Sequence, residues 1–488
     1  MTATTLHYDA IIGGLSVRTD RQFETLDPST GKVLATVASC SADDVDAAVG
    51  AARAAQAGWS ATPPAERGRT LRTLAGLIRR DAEVLSLTES WDTGKPLSQA
   101  QADVENAARY FEYYGSLVEG LEGATIPVAG SVHAFTLREP LGVTGHIVPW
   151  NYPIQISART TAPALAAGNC CVLKPAEEAP LGALRLAELG LEAGLSPGVL
   201  NVVPGDGPVT GAALAGHTGI NHLSFTGSVP TGREVAAKAG RNLVSVTLEL
   251  GGKSPNIVFP DADLPRAVPT IVRSILQNAG QTCSAGSRLV VHRDVHDTVV
   301  AQVASAFRGL SMGPGPEDPD LGPLISAKQL ERVTGMLADL PEPARVVVGY
   351  PVHRTADDSI ATAEGGFFFP PTLVDHVPVD SVLAQQEVFG PVLSVISFDD
   401  EEQAVAIANG TPFGLVAAVW TADVGRAHRL ARSLHAGQVF VNTYGAGGGV
   451  ELPFGGIGES GFGREKGAEA LVAYTTTKTV AIDYGGQE

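Results

Sequence analysis

The amino-acid sequence predicts an α/β fold built on parallel sheets. Short apolar runs alternate with helical stretches from about residue 142 to residue 443, and this alternation is typical of βαβ units. The 56 glycines are scattered rather than periodic, which fits short strand–helix connections and excludes collagen and repeat arrays. The 488 residues are enough for about three domain-sized units.

The first 140 residues are predicted to contain helices followed by a hairpin. Residues 41–57 begin with Ser-Ala-Asp-Asp, which favours a helix N-cap and an acidic first turn. Apolar residues recur at spacings of three and four over 64–89 and 97–120, and this spacing predicts further helices. Residues 122–140 alternate, contain β-branched residues and have two Gly/Pro interruptions, which indicates a β-hairpin.

Five strand-like runs follow in the middle of the chain. The predicted strands span 142–150, 170–175, 199–203, 222–228 and 243–252. Right-handed crossovers between them place helices on both faces of the sheet. Ligands of such sheets bind beyond the carboxyl ends of the strands. The functional residues are therefore expected in the turns after Trp150, Lys174, Val203, Ser228 and Leu250.

A second α/β run is predicted from about residue 256 to residue 443. It contains a helix over 264–279, a strand over 288–292 and a helix over 295–309. The last stretch, 472–483, alternates and is rich in β-branched residues. We expect it to form an edge strand that pairs either with the hairpin or with another subunit.

Composition and charge exclude several classes of protein. Lys and Arg number 34 and Asp and Glu number 52, for a net charge of −18, which argues against binding to nucleic acid or to an anionic membrane. Hydrophobic residues make up 44% of the chain, which excludes wholesale disorder. The N-terminus lacks a signal peptide, and no apolar run approaches the roughly 20 residues that span a bilayer. We therefore expect a cytoplasmic protein.

The cysteine and histidine pattern predicts neither disulfides nor a metal. Four cysteines without a CxxC pair do not make a disulfide scaffold or a zinc site. Cys170 and Cys171 lie within an apolar strand, which indicates buried, unreactive thiols. His292 and His296 have the spacing of a zinc-binding helix, but His292 ends a predicted strand. Surface histidines are the simpler interpretation.

Three glycine-rich segments are candidates for phosphate binding. GDGPVTG (205–211) is consistent with either a tight turn or a weak dinucleotide-binding loop. FTGSVPTG (225–232) ends a strand and opens a helix, so the N–H groups at 227–229 are predicted to face a pyrophosphate. GGKS (251–254) lacks the upstream glycine of a P-loop because Thr247 stands there, and nucleoside-triphosphate binding is rejected.

Cys283 and Glu249 are candidate catalytic residues. Cys283 lies among small residues between a predicted helix and a predicted strand, and small neighbours leave room for a substrate at the sulfur. The pKa of a free thiol is about 8.5, so a reactive site lowers it or supplies a base. Glu249 ends a strand beside two glycines, where it is either a general base or a buried structural carboxylate.

Seven motifs in order resemble the NAD(P)-dependent aldehyde dehydrogenase superfamily. The resemblance covers about residues 8–480. It depends on the joint order and spacing of the motifs, since each one alone is weak. The motifs are PWNYP (149–153), KPAE (174–177), FTGS (225–228), LELGGKSP (248–255), GQTCSAGSR (280–288), EVFGPV (387–392) and PFGG with SGFGRE (453–465).

The resemblance implies an architecture and a reaction. The implied fold has a Rossmann-like cofactor domain (1–120 and 141–250), an α/β catalytic domain (251–470) and a small β oligomerisation element (121–140 and 471–488). The implied reaction is the NAD-dependent oxidation of a small-molecule aldehyde to a carboxylic acid. The implied assembly is a homodimer or a homotetramer.

The resemblance also assigns catalytic roles. It implies that Cys283 is the nucleophile and that the Asn151 amide and the Cys283 backbone N–H hold the oxyanion. Glu249 would activate the water that hydrolyses the thioester. Family members that acylate coenzyme A lack this glutamate, so its presence favours hydrolysis. Without the resemblance, Asn151 is equally well a turn residue before Tyr152 and Pro153.

The implied cofactor is NAD, with NADP as the weaker alternative. Lys174 and Glu177 match the pair that holds the adenosine ribose. A carboxylate accepts hydrogen bonds from ribose hydroxyls and repels a 2′-phosphate. The other implied cofactor residues are Gly227 and Ser228 at the pyrophosphate, Glu387 at the nicotinamide ribose, Phe389 beside the ring, and Trp150, which either packs along the cofactor or fills the core.

The implied substrate tunnel favours a medium-sized apolar or aromatic aldehyde. Its residues are Tyr152, Ile156, Gln277, Thr282, Ser284 and Phe454. Two departures from the family pattern concern this tunnel. The FGGxK lysine is absent after Gly456, which removes a cation for a substrate carboxylate, and the glycine-rich loop 443–453 implies a roomier mouth without an aromatic wall. The alternatives are a semialdehyde or betaine-aldehyde-type dehydrogenase and a non-catalytic dinucleotide-binding protein.

Overall fold

A computed structural model describes residues 6–350, 365–445 and 449–485 of the chain. These residues form the predicted α/β architecture, with two large, mainly parallel sheets and smaller sheets at the periphery. Over the same ranges, none of the helices is both long and apolar enough to cross a bilayer.

The α-helices of the described residues alternate with the strands along most of the chain. They are α1 (Ala42–Ala61), α2 (Pro64–Arg80), α3 (Ala82–Thr93), α4 (Leu97–Leu117), α5 (Pro153–Ala166), α6 (Leu181–Glu192), α7 (Ala212–Ala215), α8 (Val229–Arg241), α9 (Leu264–Leu276), α10 (His296–Arg308), α11 (Ala327–Leu337), α12 (Val382–Gln385), α13 (Glu401–Asn409), α14 (Val424–Ser433) and α15 (Gly467–Ala473).

The strands of the described residues are mostly short. They are β1 (Leu6–Tyr8), β2 (Ala10–Ile12), β3 (Leu15–Val17), β4 (Gln22–Asp27), β5 (Lys32–Ala38), β6 (Thr125–Ile126), β7 (Val132–Pro140), β8 (Val143–Ile147), β9 (Cys170–Lys174), β10 (Leu200–Val202), β11 (His222–Thr226), β12 (Ser245–Glu249), β13 (Pro255–Val258), β14 (Arg288–His292), β15 (Arg345–Val348), β16 (Thr372–Asp375), β17 (Val392–Phe398), β18 (Phe413–Gly414), β19 (Val416–Trp420), β20 (Gln438–Val441), β21 (Ile457–Gly458), β22 (Gly461–Phe462) and β23 (Thr475–Asp483).

The first large sheet has the strand order β22-β12-β11-β8-β9-β10-β2-β3. Its central strands, from β12 to β10, are parallel. Strands β8, β9 and β11 are buried along their whole length, which explains their nearly continuous apolar sequences, since helices cover both faces of such sheets. All five strands predicted for this region are confirmed. Strand β22 comes from the range assigned to the catalytic domain, and the domain boundaries stay a prediction.

The second large sheet has the strand order β15-β16-β17-β14-β13-β19-β20. Its strands are parallel except for β15, which is an antiparallel edge strand. The two sheets meet in sequence between β12 and β13, which leaves residues 250–254 as the connection. The carboxyl ends of strands from the first sheet thus lie beside the start of the second sheet.

A separate three-stranded sheet combines the hairpin with the C-terminal strand. Strands β6 and β7 form the predicted hairpin. Strand β23 pairs with β7 over nine residues, from Thr475 opposite Pro140 to Asp483 opposite Val132. Of the two expected partners for the last strand, the hairpin of the same chain is the one observed.

The helices differ from prediction at Asp81 and after Leu276, where the helix predicted over 264–279 ends early. The predicted helix over 64–89 is divided at Asp81, whose carboxylate makes ion pairs with Arg80 and Arg185. Residues Gly207–Gly211 form a single π turn that leads into the short α7, and the Asp206 side chain accepts a hydrogen bond from the N–H of Val209 at the start of this turn. The GDGPVTG segment therefore forms a capped turn. The N-cap predicted for the first helix is confirmed, because Ser41 and Asp44 form a reciprocal capping box.

Candidate active site

Cys283 lies in a loop that a strained kink directs into the molecule. Helix α9 ends at Leu276, and Asn278 and Ala279 then adopt left-handed backbone conformations with φ of 50° and 54°. Such conformations are costly for residues with a Cβ and persist only when their surroundings hold them. The Asn278 side chain donates to the carbonyl of Asn151 at 2.8 Å, and its backbone N–H donates to Gln99 Oε1 at 2.8 Å.

The Cys283 thiol is half-buried against an apolar cluster. The cluster consists of Leu415, Val416 and Phe454, with Phe440 and Tyr444 packed against it. Burial raises the pKa of the thiol to about 12, although the nearby positive side chains of Arg159 and Lys466 act in the opposite direction. In the absence of ligands, Cys283 is therefore a neutral thiol at neutral pH.

Two glycines bring three of the predicted motifs together. A Cβ on Gly252 would lie 2.6 Å from the Cys283 carbonyl oxygen, and a Cβ on Gly251 would lie 2.4 Å from Glu387 Oε2. The N–H of Gly252 also donates to Glu387 Oε1 at 2.9 Å. Any larger residue would push these groups apart, so the double glycine after β12 allows Cys283 and Glu387 to approach the end of that strand.

Asn151 is buried in the turn before α5, and its amide points toward the Cys283 loop. The residue is 3% exposed. Its Nδ2 donates to the carbonyl of Gln281, two residues before Cys283, at 2.9 Å. An amide nitrogen carries two N–H groups, so one remains for a second acceptor. The backbone N–H of Cys283 has no acceptor among the described residues.

Glu249 is a buried carboxyl without a hydrogen-bond partner among the described residues. It is 1% exposed, and both of its oxygens lack a partner there. Burial raises its pKa well above the usual value, and the nearby Glu465 carboxylate raises it further. A Cβ on Gly455 would lie 2.8 Å from Glu249 Oε1. Glu249 therefore lies beside the Phe454–Gly455 segment that packs on Cys283.

A group of charged residues that the sequence analysis missed surrounds Phe454. Arg159, on α5, makes an ion pair with Glu465 at 2.5 Å, and Ser224 donates to the other oxygen of Glu465 at 2.7 Å. The Arg159 guanidinium lies 5.3 Å and the Lys466 ammonium 5.0 Å from the centre of the Phe454 ring. One signal was available, because an arginine inside the otherwise apolar and small-residue sequence of α5 requires a buried partner.

The predicted adenosine-ribose pair is formed. Lys174, the last residue of β9, is 3% exposed, and its Nζ donates to Glu177 Oε2 at 3.0 Å. The Glu177 side chain remains 43% exposed. A carboxylate that is held in place by a buried lysine and still open to solvent suits the hydroxyls of a ribose.

The predicted pyrophosphate turn needs one correction. The N–H of Gly227 donates to the carbonyl of Glu249 at 3.0 Å, so it does not face a ligand as predicted. The reason is that the turn after β11 continues the hydrogen bonding to its neighbour β12. The Ser228 hydroxyl caps α8 by accepting from the N–H of Thr231. Of the three N–H groups predicted to face a pyrophosphate, those of Ser228 and Val229 remain, at the start of α8.

The predicted nicotinamide residues lie close to one another. The rings of Trp150 and Phe389 make an edge-to-face contact with their centres 5.4 Å apart. Gln329 donates to the carbonyl of Phe389 at 2.7 Å and Arg332 to that of Glu387 at 2.7 Å. Burial raises the pKa of Glu387 to about 7 against the effect of its hydrogen bond from Gly252. Together with the ribose pair and the start of α8, these residues fit a dinucleotide.

The predicted substrate residues are only partly brought together. Tyr152 and Thr282 share a hydrogen bond of 2.6 Å between their hydroxyls, and Ile156 and Phe454 are buried. Ser284 is half-buried. Gln277, by contrast, is exposed to solvent at the kink after α9.

The expectation of a loop without an aromatic wall is wrong. Tyr444 turns inward because its hydroxyl donates to the Ser284 carbonyl at 2.6 Å, and its ring packs with Phe440 on the Cys283 cluster. Residues 446–448 of the same loop lie outside the described residues.

The two histidines with zinc-helix spacing do not converge. His292 is hydrogen-bonded to the carbonyl of Asp399 at 2.9 Å, whereas His296 pairs with Asp375 at 2.9 Å. His296, Asp375 and His376 do lie close together.

Comparison with known proteins identifies the family. The model of the aldehyde dehydrogenase family matches residues 16–480. The chain therefore belongs to the aldehyde dehydrogenase family, and the resemblance drawn from its motifs is confirmed.

Solved structures of similar proteins agree with this assignment. A protein from Burkholderia cenocepacia assigned to the aldehyde dehydrogenases is 52% identical, with a TM-score of 0.95 over 98% of this chain and 100% of that one. An indole-3-acetaldehyde dehydrogenase solved with NAD+ is 40% identical, with a TM-score of 0.94 over 99% and 97%. An aldehyde dehydrogenase from Bacillus cereus solved with NAD+ is 39% identical, with a TM-score of 0.94 over 98% and 97%.

Proposed function

We propose that this protein oxidises an aldehyde to a carboxylic acid with NAD, through a covalent intermediate on Cys283. The observation that carries the proposal is the convergence of Cys283, Asn151 and Glu249 beside the Gly251–Gly252 connection, against which Glu387 also lies. No metal enters the proposed chemistry.

The first step is addition of the Cys283 sulfur to the aldehyde carbon. An aldehyde hydrogen is a poor hydride donor because the carbonyl carbon is electron-poor. As the C–S bond forms, the thiol proton passes to solvent water, and the product is a tetrahedral thiohemiacetal oxyanion, which releases hydride readily. NAD, when bound, accepts that hydride.

The oxyanion requires donors that are already in place. The second N–H of the Asn151 amide and the backbone N–H of Cys283 are the proposed donors. A preorganised donor of this kind contributes about 3–4 kcal/mol to transition-state stabilisation. The donors act on the negative oxygen and much less on the uncharged carbonyl.

Glu249 is the proposed base for the last step. Loss of hydride leaves a thioester on Cys283. Glu249 takes a proton from a water molecule that attacks the thioester, the C–S bond breaks, and the acid and the thiol are released. Because burial raises its pKa, Glu249 is a stronger base than an exposed carboxylate once it is ionised.

We propose NAD rather than NADP as the cofactor. Lys174 and Glu177 would hold the adenosine ribose, Ser228 the pyrophosphate, and Glu387 the nicotinamide ribose, with Trp150 and Phe389 beside the ring. The Glu177 carboxylate, fixed by Lys174, would repel a 2′-phosphate. Two similar proteins were solved with NAD+, which supports the same choice.

The proposed substrate is a medium-sized apolar or aromatic aldehyde. The apolar cluster at Cys283, with Tyr444 added to it, offers aromatic surface next to the thiol. The similar indole-3-acetaldehyde dehydrogenase supports an aromatic aldehyde.

A semialdehyde with a distal carboxylate is the second candidate. The observation behind it is that two positive groups lie at the Phe454 ring, Lys466 and Arg159, of which Arg159 is already paired with Glu465. The family's lysine after Gly456 is absent, and these two cations come from other positions in the chain. The same charges disfavour a betaine aldehyde, which is itself cationic. Turnover of matched neutral, anionic and cationic aldehydes separates the three.

The domain division and the assembly remain proposals. The first sheet and its helices would form the cofactor domain, and the second sheet the catalytic domain. The β6–β7–β23 sheet would serve oligomerisation in a homodimer or homotetramer, because it is a small sheet with apolar residues exposed.

Two variants test the mechanism. Cys283→Ala is expected to abolish NADH formation while NAD binding persists, with Cys40→Ala as the matched control for loss of a buried thiol.

Glu249→Gln is expected to give one NADH per site and then stall, because the thioester no longer hydrolyses. Near-normal turnover of Cys283→Ala would overturn the nucleophile. If Glu249→Gln shows no burst of NADH, Glu249 acts earlier in the reaction, in the activation of the Cys283 thiol. No NADH from the parent enzyme with any aldehyde would favour a non-catalytic dinucleotide-binding protein.

A further inference from the structure

A fully buried lysine holds the backbone of Asn151. Lys95 follows α3, and its side chain is 0% exposed. Its Nζ donates to Glu89 Oε1 at 3.1 Å, to Asp103 Oδ2 at 2.5 Å and to the carbonyl of Asn151 at 2.9 Å. An ammonium has three N–H donors, and all three are used. Two of them bind carboxylates, and the third binds the residue proposed to hold the oxyanion.

The two carboxylates make this burial tolerable. An isolated buried ammonium is strongly destabilising unless it is paired and hydrogen-bonded. Glu89 lies on α3 and Asp103 on α4, and their side chains are 1% and 5% exposed. Lys95 is therefore anchored on the helical layer and reaches from there to the turn before α5. A lysine needed only for helix packing would not require a donor to that turn.

The Asn151 carbonyl is held from two sides. Lys95 donates to it at 2.9 Å, and Asn278 donates to it at 2.8 Å from the kink before Cys283. Two donors on one carbonyl oxygen fix the peptide plane that follows Asn151. They therefore limit the directions in which the Asn151 side chain can point. The remaining freedom is rotation about its own two side-chain torsions, which the hydrogen bond to the Gln281 carbonyl restrains.

Lys95 also contacts the next residue of the turn. Its Nζ lies 4.6 Å from the centre of the Tyr152 ring, and the Tyr152 hydroxyl is hydrogen-bonded to Thr282, the residue before Cys283. The same ammonium is thus connected to both sides of the proposed oxyanion site, the amide of Asn151 and the backbone at Cys283.

We propose that Lys95, anchored by Glu89 and Asp103, is a positioning residue that orients the Asn151 amide for the oxyanion. The proposal rests on the proposed function, in which Asn151 is an oxyanion donor. Lys95 itself touches neither substrate nor cofactor in this scheme. Its effect should therefore appear in the rate of hydride transfer and not in the binding of either ligand.

The test is a double-mutant cycle on the NADH burst rate. Lys95→Met keeps the length of the side chain and removes all three donors. We expect it to slow the burst about 10- to 100-fold, up to the loss caused by misplacing a catalytic group by about 1 Å and less than the roughly 100- to 1000-fold that outright loss of an oxyanion donor costs. The KM for the aldehyde and the Kd for NAD should change less than about threefold. In an Asn151→Ala background, Lys95→Met should have little further effect, because residues that act through one another are not additive.

Matched controls separate positioning from stability. Asp375→Asn removes a buried ion pair with His296 in the other large sheet, and it should lower the thermal midpoint without slowing the burst. If Lys95→Met does not fold, Asp103→Asn replaces it, since it weakens the Lys95 anchor and keeps the volume. If folded Lys95→Met has an unchanged burst rate, or if its effect and that of Asn151→Ala simply add, Lys95 does not position Asn151. Asn151 would then still be the proposed oxyanion donor. A normal burst in Asn151→Ala would overturn both.

Discussion

At the scale of single residues, burial raises the pKa of both main reactive groups in the empty enzyme. Burial raises the pKa of the Cys283 thiol to about 12 and that of Glu249 well above its usual value. Arg159 and Lys466 favour the thiolate, but not enough to ionise it at neutral pH. We therefore expect the thiol to be protected from adventitious alkylation until ligands change its surroundings.

Alkylation should report this protection. Without ligands, the rate of reaction of Cys283 with iodoacetamide should rise about tenfold per pH unit between roughly pH 7 and 9, because the thiolate is the nucleophile and its fraction grows tenfold per unit below the pKa. Mass spectrometry of the modified peptide gives the rate. Cys283→Ala supplies the background from the three other cysteines, which are buried. A plateau below pH 8 would mean that the thiolate already exists in the empty enzyme.

Glu177 should decide between the two dinucleotides. Replacing it with serine removes the charge that opposes a 2′-phosphate but keeps a hydrogen-bonding group. We expect Glu177→Ser to raise the ratio of kcat/KM for NADP to that for NAD about tenfold, the equivalent of roughly 1.4 kcal/mol. The surface variant Glu188→Ser is the control. If the ratio of kcat/KM for NADP to that for NAD is unchanged, Glu177 does not recognise the ribose.

At the scale of elements, the small sheet formed by β6, β7 and β23 has an apolar face that the chain leaves partly uncovered. Cross-strand partners share a face, so the pairing of Val480 with Phe135 and of Lys478 with Leu137 places these residues on one side with Ile482. Leu137 is 42% and Ile482 50% exposed. This face supports the proposed role in oligomerisation.

A charge on this face should weaken the assembly. If the face is buried between subunits, Ile482→Glu places an unpaired carboxylate there, at a cost of about 3–5 kcal/mol. Light scattering after gel filtration should then show a smaller particle than for the parent protein. Thr479→Glu lies on the opposite face and should leave the mass unchanged. An unchanged mass for Ile482→Glu would assign the interface elsewhere.

At the scale of the whole molecule, stability depends in part on charged pairs far from the site. Burial alone would lower the pKa of His296, but its hydrogen bonds to Asp297 and Asp375 outweigh that effect and raise it. The folded protein therefore binds the His296 proton more tightly than the unfolded chain does. The stabilisation is fully present below the unfolded pKa of about 6.5 and is lost as the pH rises through the higher folded value.

The pH dependence of unfolding should reveal this contribution. Between pH 6 and pH 8.5, the thermal midpoint of the parent protein should fall more than that of His296→Gln, which lacks the titrating group. His428→Gln, at an exposed histidine, should behave like the parent. Equal falls in the parent and in His296→Gln would show that the pair with Asp375 does not contribute in this range.

The sequence by itself determined the order of elements and the turns that carry the site. The alternation of short apolar runs and helices is a local property, so β8, β9 and β11 and the turns after them could be predicted. Cys283 and Glu249 could be singled out because their local surroundings, small residues and a double glycine, are unusual.

Only the tertiary structure decided which charges meet and which groups are ionised. Arg159 forms an ion pair with Glu465, Lys95 donates to the Asn151 carbonyl, and Tyr444 packs on the Cys283 cluster. All three contacts join segments that are distant in sequence. The N–H of Gly227 was assigned wrongly for the same reason, since its acceptor lies on the neighbouring strand. The physical reason is that burial and pairing set the energy of a polar group, and both depend on neighbours that local sequence does not specify.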